Sequence, residues 1–509
     1  MSIELTKTDI GTAEVLYDNF AEQGIDCDIS LPDYCPDIMR ILRCSVTNSI
    51  TNSKISGDRA TVDGNAKIRI VYADDKNGIY CYEQDYPFSK FSELPQTYDG
   101  AVLCSSAKTE YANCRAVSKK RIDIHGVVSI RFKIVGIKNE SVITDAEGDG
   151  IQLRKKKIGT DSVAAVVMKK FQLSQTEEAD GGEIGKIFYA CASPVLSETK
   201  IIKGKILLKG EAVLKVMYCS ATGENESVCV NYNLPFSEII DIESIDDSCK
   251  VSVGFNVDQV QAEPKTDNDG EYKYLNLGCD ICAVVTAYKT EDICVITDSY
   301  STQKEIDAKY KTESFTQILQ NLNDSIICRE SVDLSSMNPQ RIYAAIAQSP
   351  EAKSRFDADK MTVTGKIPLK FILIDGEGTP TFCEREAEFE YSRSIDAKGG
   401  NLHCDPKLFL TGYSCTLTSD GRAEFKAEMN ISADITETSE CRTLVSLKTM
   451  ENSELKKRHS SLVICFCNGG EKIWDIARKY NTTVEDIMSE NELTSDEIVE
   501  KMMLMIPVK

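Results

Sequence analysis

Three times along this chain an isoleucine is followed by a glycine 23 positions later: Ile41 and Gly64, Ile187 and Gly210, Ile342 and Gly365. The segments around these pairs, Ile38 to Asp74, Ile184 to Ser220 and Asn338 to Asp375, align across that block without a gap. A second block follows each first one, around Gly126, Gly278 and Lys426. The repeat period of 146 to 155 residues is too long for a solenoid, whose units run to about 20–50 residues. It predicts three tandem copies of one unit, each with two related halves.

Within the blocks the pattern has period two. Ala66, Ile68, Ile70 and Tyr72 alternate with Lys67, Arg69 and Val71, and Ile130, Phe132 and Ile134 alternate with Arg131 and Lys133. Such alternation specifies half-buried strands. The glycines fall at strand starts, which suggests a bulge or a close backbone approach. Short helices are expected at two places. Leu31-Pro32-Asp33-Tyr34-Cys35-Pro36-Asp37 reads as a helix opener before Ile38, Ile41 and Leu42. Phe315, Ile318, Leu319 and Leu322 have helical spacing. Joins are expected at Asp149 to Gly159, Ser301 to Lys311 and Glu451 to Ser461, with the basic run Arg154-Lys155-Lys156-Lys157 as a solvated linker or a contact for an acidic partner.

From Leu462 the pattern changes. Leu462 to Cys467 reads as a strand, and Ile473, Ile476, Ala477 and Tyr480 as one helix face. Thr482 with Glu485 reads as a capping box for a second helix. A closing strand runs from Met502 to Val508, so the order is βααβ. The expected class is therefore mainly β: antiparallel strands with short helices at 1–155, 156–308 and 309–455, then a small α+β domain at 460–509.

With 59 basic and 80 acidic residues the net charge is −21, which argues against a nucleic-acid groove and against electrostatic docking on anionic lipid. The first twenty residues carry no basic segment followed by an apolar one, and no apolar stretch is long enough to span a bilayer, so neither a signal peptide nor a transmembrane segment is expected. The 20 cysteines are expected to be free, buried thiols in a cytosolic protein. Cys279 and Cys282 form a lone CxxC on a strand, where positions i and i+3 face opposite ways, and no second pair exists to complete a zinc site. His403-Cys404 and Cys415 lack an orienting third group. The run Gly181 to Lys186 is one residue short of a phosphate loop and has no Ser or Thr after the lysine. No enzyme activity, metal or cofactor is expected.

The run Gly470-Glu471-Lys472-Ile473-Trp474-x-Ile476-Ala477-x-x-Tyr480-x-Thr482-Thr483-Val484-x-x-Ile487, with Asn491, Leu493 and Leu504-Met505-Ile506-Pro507, resembles a LysM domain. The resemblance implies binding of N-acetylglucosamine-containing glycans such as peptidoglycan, through the loop at Gly470, Glu471 and Lys472 and the loop from Asp496 to Lys501. Both loops depart from the family pattern, with Glu471-Lys472 for Asp-Thr and Glu500-Lys501 for Pro-Gly. Leu31 to Leu42 is similar to the opening of the SPOCS domain, and three such units before a LysM domain resemble the layout of a family of spore coat morphogenetic proteins. That resemblance implies a non-enzymatic scaffold in the mother-cell cytosol, at the forespore surface. Its LysM domain would bind the ATPase of the coat basement layer, with other coat proteins as further partners. For that contact the residues favoured are Ile464, Lys472, Trp474, Met503 and Met505. Trp474 has two readings, a core side chain or the lining of a partner groove. Met503 and Met505 share a strand face opposite Met502, Leu504 and Ile506, and would form an adaptable apolar surface.

Overall fold

The alternating blocks form long antiparallel strands, and the strands nest. In the computed structural model, which describes residues 3–148, 150–180, 182–220, 227–357, 360–395, 401–454 and 462–508, the first unit runs β1 (Glu4–Ser30), β2 (Arg40–Ser56), β3 (Arg59–Ala73), β4 (Ile79–Glu93), β5 (Val102–Ala116) and β6 (Arg121–Glu147). β1, β6 and β5 make one sheet, in the order β1-β6-β5; β2, β3 and β4 make a second, inserted between β1 and β5 in sequence.

The second unit repeats this order with β7 (Ile151–Glu178), β8 (Ile184–Ile202), β9 (Lys205–Ser220), β10 (Ser227–Asp241), β11 (Lys250–Thr266) and β12 (Tyr272–Ser301). The third opens with β13 (Lys304–Asp333), then a short 3₁₀ turn at Ser335–Met337. There follow β14 (Pro339–Ala347), β15 (Glu351–Asp357), β16 (Lys360–Asp375), β17 (Pro380–Ser394), β18 (Asn401–Cys404), β19 (Lys407–Leu417) and β20 (Arg422–Glu454). Two of its edge strands are split, into β14 with β15 and β18 with β19, but the nesting is the same. The protein is mainly β.

Each unit closes a core between its two sheets, such as Ile68, Ile70 and Tyr72 against Ile130, Phe132 and Ile134 in the first. The repeated glycines belong to these sheets. Gly64 pairs across strands with Phe88, Gly210 with Phe236 and Gly365 with Phe389. A Cβ on Gly64, Gly210 or Gly365 would lie 2.3, 2.1 or 2.2 Å from the carbonyl oxygen of Ser49, Val195 or Glu351, and against the tip of the paired phenyl ring. The glycine is needed for close approach of backbone and ring.

Three further apolar clusters are shared by all three units, one of them formed by Ile143, Ala146, Ile296, Leu444 and Leu447 of β6, β12 and β20. Leu42 and Val71, Phe188 and Met217, Tyr343 and Ile372 come from equivalent strands of the inserted sheets. Ile10 and Val142, Ile158 and Val295, Phe315 and Cys441 come from the outer strands. The units thus surround common cores in a threefold-like arrangement, held together by apolar burial.

Three local expectations are corrected. Phe315 to Leu322 is strand within β13, not helix; a bulge between Ile318 and Gln320 shifts the strand by one residue, so Phe315, Ile318 and Leu322 all face inward at helix-like spacing. Leu31 to Met39 is irregular. Its backbone donors go to the turn before β6, Leu31 N to Lys120 O at 2.8 Å and Ile38 N to Lys119 O at 2.8 Å, which leaves no helical ladder. Arg154 to Lys157 is not a linker but part of β7, where Lys155 pairs with Asp145 at 2.8 Å and Lys157 with Asp292 at 2.8 Å. From Ile151 and Lys304 onward the first two expected joins are strand. Residues 455–461 of the third lie outside the described residues, as do Asp149 of the first and Gly181 of the glycine-rich run.

Candidate interaction surface of the C-terminal module

The last segment forms β21 (Leu462–Cys467), α1 (Ile473–Tyr480), α2 (Val484–Glu490) and β22 (Met502–Pro507). α1 ends where Asn481 turns left-handed (φ 53°), and α2 is capped by Thr483, whose hydroxyl accepts from Asp486 N at 2.9 Å. The cap is therefore one residue later than the expected Thr482. Thr482 is buried, and its carbonyl is used elsewhere.

β21 and β22 pair antiparallel, Ile464 opposite Met505 and Phe466 opposite Met503. One sheet face, with Cys467, Leu504 and Ile506, is covered by the helices. The other is open. On it Ile464 is 57% exposed, Phe466 73% and Met503 53%, with Leu462 and Met505 beside them. Five apolar side chains on one uncovered two-stranded sheet form a contiguous patch of the kind that marks interaction sites. Leu462 and Phe466 were missed by sequence reasoning, although the strand alternation that places Ile464 outward places them outward too.

Trp474 is on the other side. It is buried, and its indole Nε1 donates to Asp298 of β12 at 2.9 Å. Arg478 reaches the same carboxylate at 2.9 and 3.1 Å. The Tyr300 ring meets Trp474 edge-on at 4.9 Å between centroids, and its hydroxyl donates to Thr482 O at 2.8 Å. Trp474 therefore holds the module against the second unit and is not brought together with Ile464, Met503 and Met505. Asp298→Ala is expected to lose the charge-assisted hydrogen bonds from two donors, Trp474 and Arg478, each donor worth about 1.5–3 kcal/mol. It should red-shift the emission of Trp474, the one tryptophan of the chain. An unchanged emission spectrum would refute the docking.

Gly470, Glu471, Lys472 and Asp496 are gathered by the pairing of their two loops. Ile498 N donates to Glu471 O at 3.0 Å, Ile473 N to Asp496 O at 2.9 Å, and Lys472 faces Glu497 at 3.7 Å. Gly470 takes φ 90°, a conformation that favours glycine.

The four cysteines singled out in the sequence are desolvated thiols. Cys279 and Cys282 are both buried, and desolvation pushes each up to about 12. Burial likewise raises Cys404 to about 11 and Cys415 to about 12. Thiols at such values carry almost no thiolate at neutral pH. Among the described residues, no group of three or more His, Cys, Asp or Glu is placed to hold a metal ion, and no helix is long and apolar enough to cross a membrane.

Comparison with known proteins agrees with this division. The family model of the SipL SPOCS domain matches residues 37–117 and 183–265, the inserted sheets of the first and second units with adjoining strands. The LysM-domain model matches residues 470–507. No curated protein and no solved structure matches the chain. The nested strands, the glycine–phenylalanine pairs and the βααβ module thus belong to a SipL-like protein that carries SPOCS domains followed by a LysM domain.

Proposed function

We propose that this protein is a non-enzymatic scaffold of spore coat assembly, whose LysM domain binds the ATPase of the coat basement layer and so helps to localise coat around the forespore in the mother cell. SPOCS and LysM domains are binding-type modules, and SipL-like proteins are tied to sporulation. The observation that carries the reading is the open apolar face of Leu462, Ile464, Phe466, Met503 and Met505. A polar glycan would leave such a face unsatisfied, whereas a protein surface can bury it. The module itself, from Leu462, holds nine acidic and five basic residues, a poor match to an anionic wall polymer. The nested units, divided near residues 155, 308 and 455, serve as the scaffold that presents this face and gathers other coat proteins.

Ile464→Glu and Met505→Glu place charge on the exposed face without touching the module's core. Each is expected to weaken ATPase binding by about 2 kcal/mol or more, roughly thirtyfold, in a pull-down or interferometry measurement with the full chain. Wild-type affinity in both variants would refute this contact.

A second reading is favoured by the LysM match. Its loops at Gly470, Glu471, Lys472 and Asp496 would hold peptidoglycan. Co-sedimentation of the full chain with purified peptidoglycan tests it: retention in the supernatant removes this reading, and binding that survives Ile464→Glu supports it beside the first.

A further inference from the structure

The threefold-like arrangement allows equivalent places between units to be compared, and two of them differ. Between the second and third units, Lys215 of β9 is buried, with its ammonium 3.5 Å above the ring of Tyr413 on β19. Ser193 Oγ donates to Leu410 O at 2.8 Å beside it, so this place in the junction is filled. Between the first and second units the equivalent cation is Arg69 of β3. The strand that faces it is β11, equivalent to β19. Each carries a bulge, between Val257 and Gln259 in β11 and between Leu410 and Gly412 in β19. The residue that follows is Val260 in one and Tyr413 in the other. With valine in place of tyrosine, the first junction holds an open cleft of about 600 Å³.

The floor of the cleft is the outward face of the sheet β2-β3-β4, with Asn65, Lys67 and Arg69 in one row and Glu83 and Asp85 in the next. The wall is β11 from Val257 to Pro264, and Tyr34 stands at the rim, 81% exposed. The charges are balanced at short range. The lining holds three bases, Lys67, Arg69 and Lys186, and four acids, Glu83, Asp85, Asp258 and Glu263; Glu83 pairs with Arg69 at 2.6 Å and Lys67 at 3.7 Å, and Asp258 with Lys170 at 3.0 Å. A strongly charged ligand has no net field to meet. The floor offers donors in Lys67 and Arg69 and acceptors in Glu83 and Asp85, a mixture that suits a neutral ligand carrying many hydroxyl groups. The floor's backbone groups are spent in its own ladder, and the bulge and Pro264 interrupt the edge of the wall strand, so an extended peptide finds no continuous strand edge.

From the cleft's volume, its balanced charge, its mixed donors and acceptors and its exposed rim tyrosine, we infer that the junction of the first and second units binds a short neutral oligosaccharide. Its hydroxyl groups bond the side chains of the floor, and one sugar face packs on Tyr34. The volume is within the roughly 300–1,000 Å³ of small-ligand sites. This site is separate from the LysM loops and independent of the coat-scaffold reading.

The test is saturation-transfer NMR on the full chain with three neutral trisaccharides: the β-1,4 trimer of N-acetylglucosamine, maltotriose and cellotriose. Saturation is expected to reach at least one. Tyr34→Ala, at a position too exposed to disturb the core, should weaken that binding about tenfold, equivalent to about 1.4 kcal/mol. Val260→Tyr, which gives this junction the residue that fills the other, should abolish it with an unchanged circular dichroism spectrum. Weakened transfer in either variant supports the inference. No transfer from any of the three sugars, or unchanged transfer in both variants, overturns it; in the second case the sugar is bound elsewhere, as on the LysM loops.

Discussion

Asp161→Ala is expected to destabilise the protein by about 2–4 kcal/mol, from the loss of hydrogen bonds to a buried carboxylate and a buried amide left unpaired. Asp161 lies on β7 with its side chain 3% exposed. Its carboxylate accepts from Lys250 Nζ at 3.0 and 3.2 Å, from Thr290 Oγ1 at 2.6 Å and from Ile318 N at 2.6 Å. The last donor belongs to β13, so a single carboxylate ties the second unit to the third. Without it Lys250 keeps only the Ile318 carbonyl, at 2.8 Å, and the Ile318 amide, buried at the bulge of β13, has no acceptor. Guanidinium unfolding read by circular dichroism measures the loss, and limited proteolysis shows whether the second and third units come apart first. Asp161→Asn keeps the shape and two acceptor lone pairs and should lose less than Asp161→Ala. A loss below about 1 kcal/mol for Asp161→Ala would mean that the apolar clusters alone hold the units.

The second large effect is expected at the repeated glycines. Gly210→Ala places a methyl group 2.1 Å from the Val195 carbonyl oxygen and 2.6 Å from the tip of the Phe236 ring. Neither can move freely, since Val195 belongs to the paired strand β8 and Phe236 is buried. Overpacking of this kind costs about 1–3 kcal/mol, and a backbone clash puts it at the upper end. Gly64→Ala and Gly365→Ala should behave alike. Gly24→Ala is the control: nothing lies within 4 Å of its added Cβ, and its stability should change by less than about 0.5 kcal/mol. Equal effects at Gly24 and Gly210 would show that backbone entropy, not the close approach, sets the result.

These glycines also mark what could be read from the chain alone. Their spacing from Ile41, Ile187 and Ile342 disclosed the repeat, and strand alternation disclosed the sheets. The partner ring was not legible, because Phe88 is 24 residues from Gly64 and only strand pairing brings them together. The helix expected at Phe315 failed for a definite reason: a one-residue bulge converts period two into a spacing of three and four. The basic run at Arg154 to Lys157 resembles a solvated linker in composition, but its acidic partners Asp145 and Asp292 lie on neighbouring long strands. In the LysM domain the outward direction of Met503 and Met505 followed from alternation. The inward turn of Trp474 did not, since its partners Asp298 and Tyr300 sit far back in the sequence, at the end of β12. Asp161 looked like any strand aspartate until three strands met around it.

The nested order of strands bears on how the chain reaches its native state. β1 pairs with β6 from Ser30 opposite Arg121 to Glu4 opposite Glu147, β7 with β12 out to Ile151 opposite Ser301, and β13 with β20 out to Lys304 opposite Glu454. Each outer pair closes only after its whole inserted sheet has been made, so contact order is high and folding is slow. The inserted sheets, joined by short turns, can form early and template the rest. During synthesis the first strand of each unit must wait unpaired for its partner, an exposed edge that invites pairing with the same strand of another unit. The bulges of β1, β7 and β13, at Leu16, Ala164 and Leu319, fall at the same place, 14 residues before each strand's last residue, so they do not tell the three first strands apart, and only the side chains can keep each with its own partner.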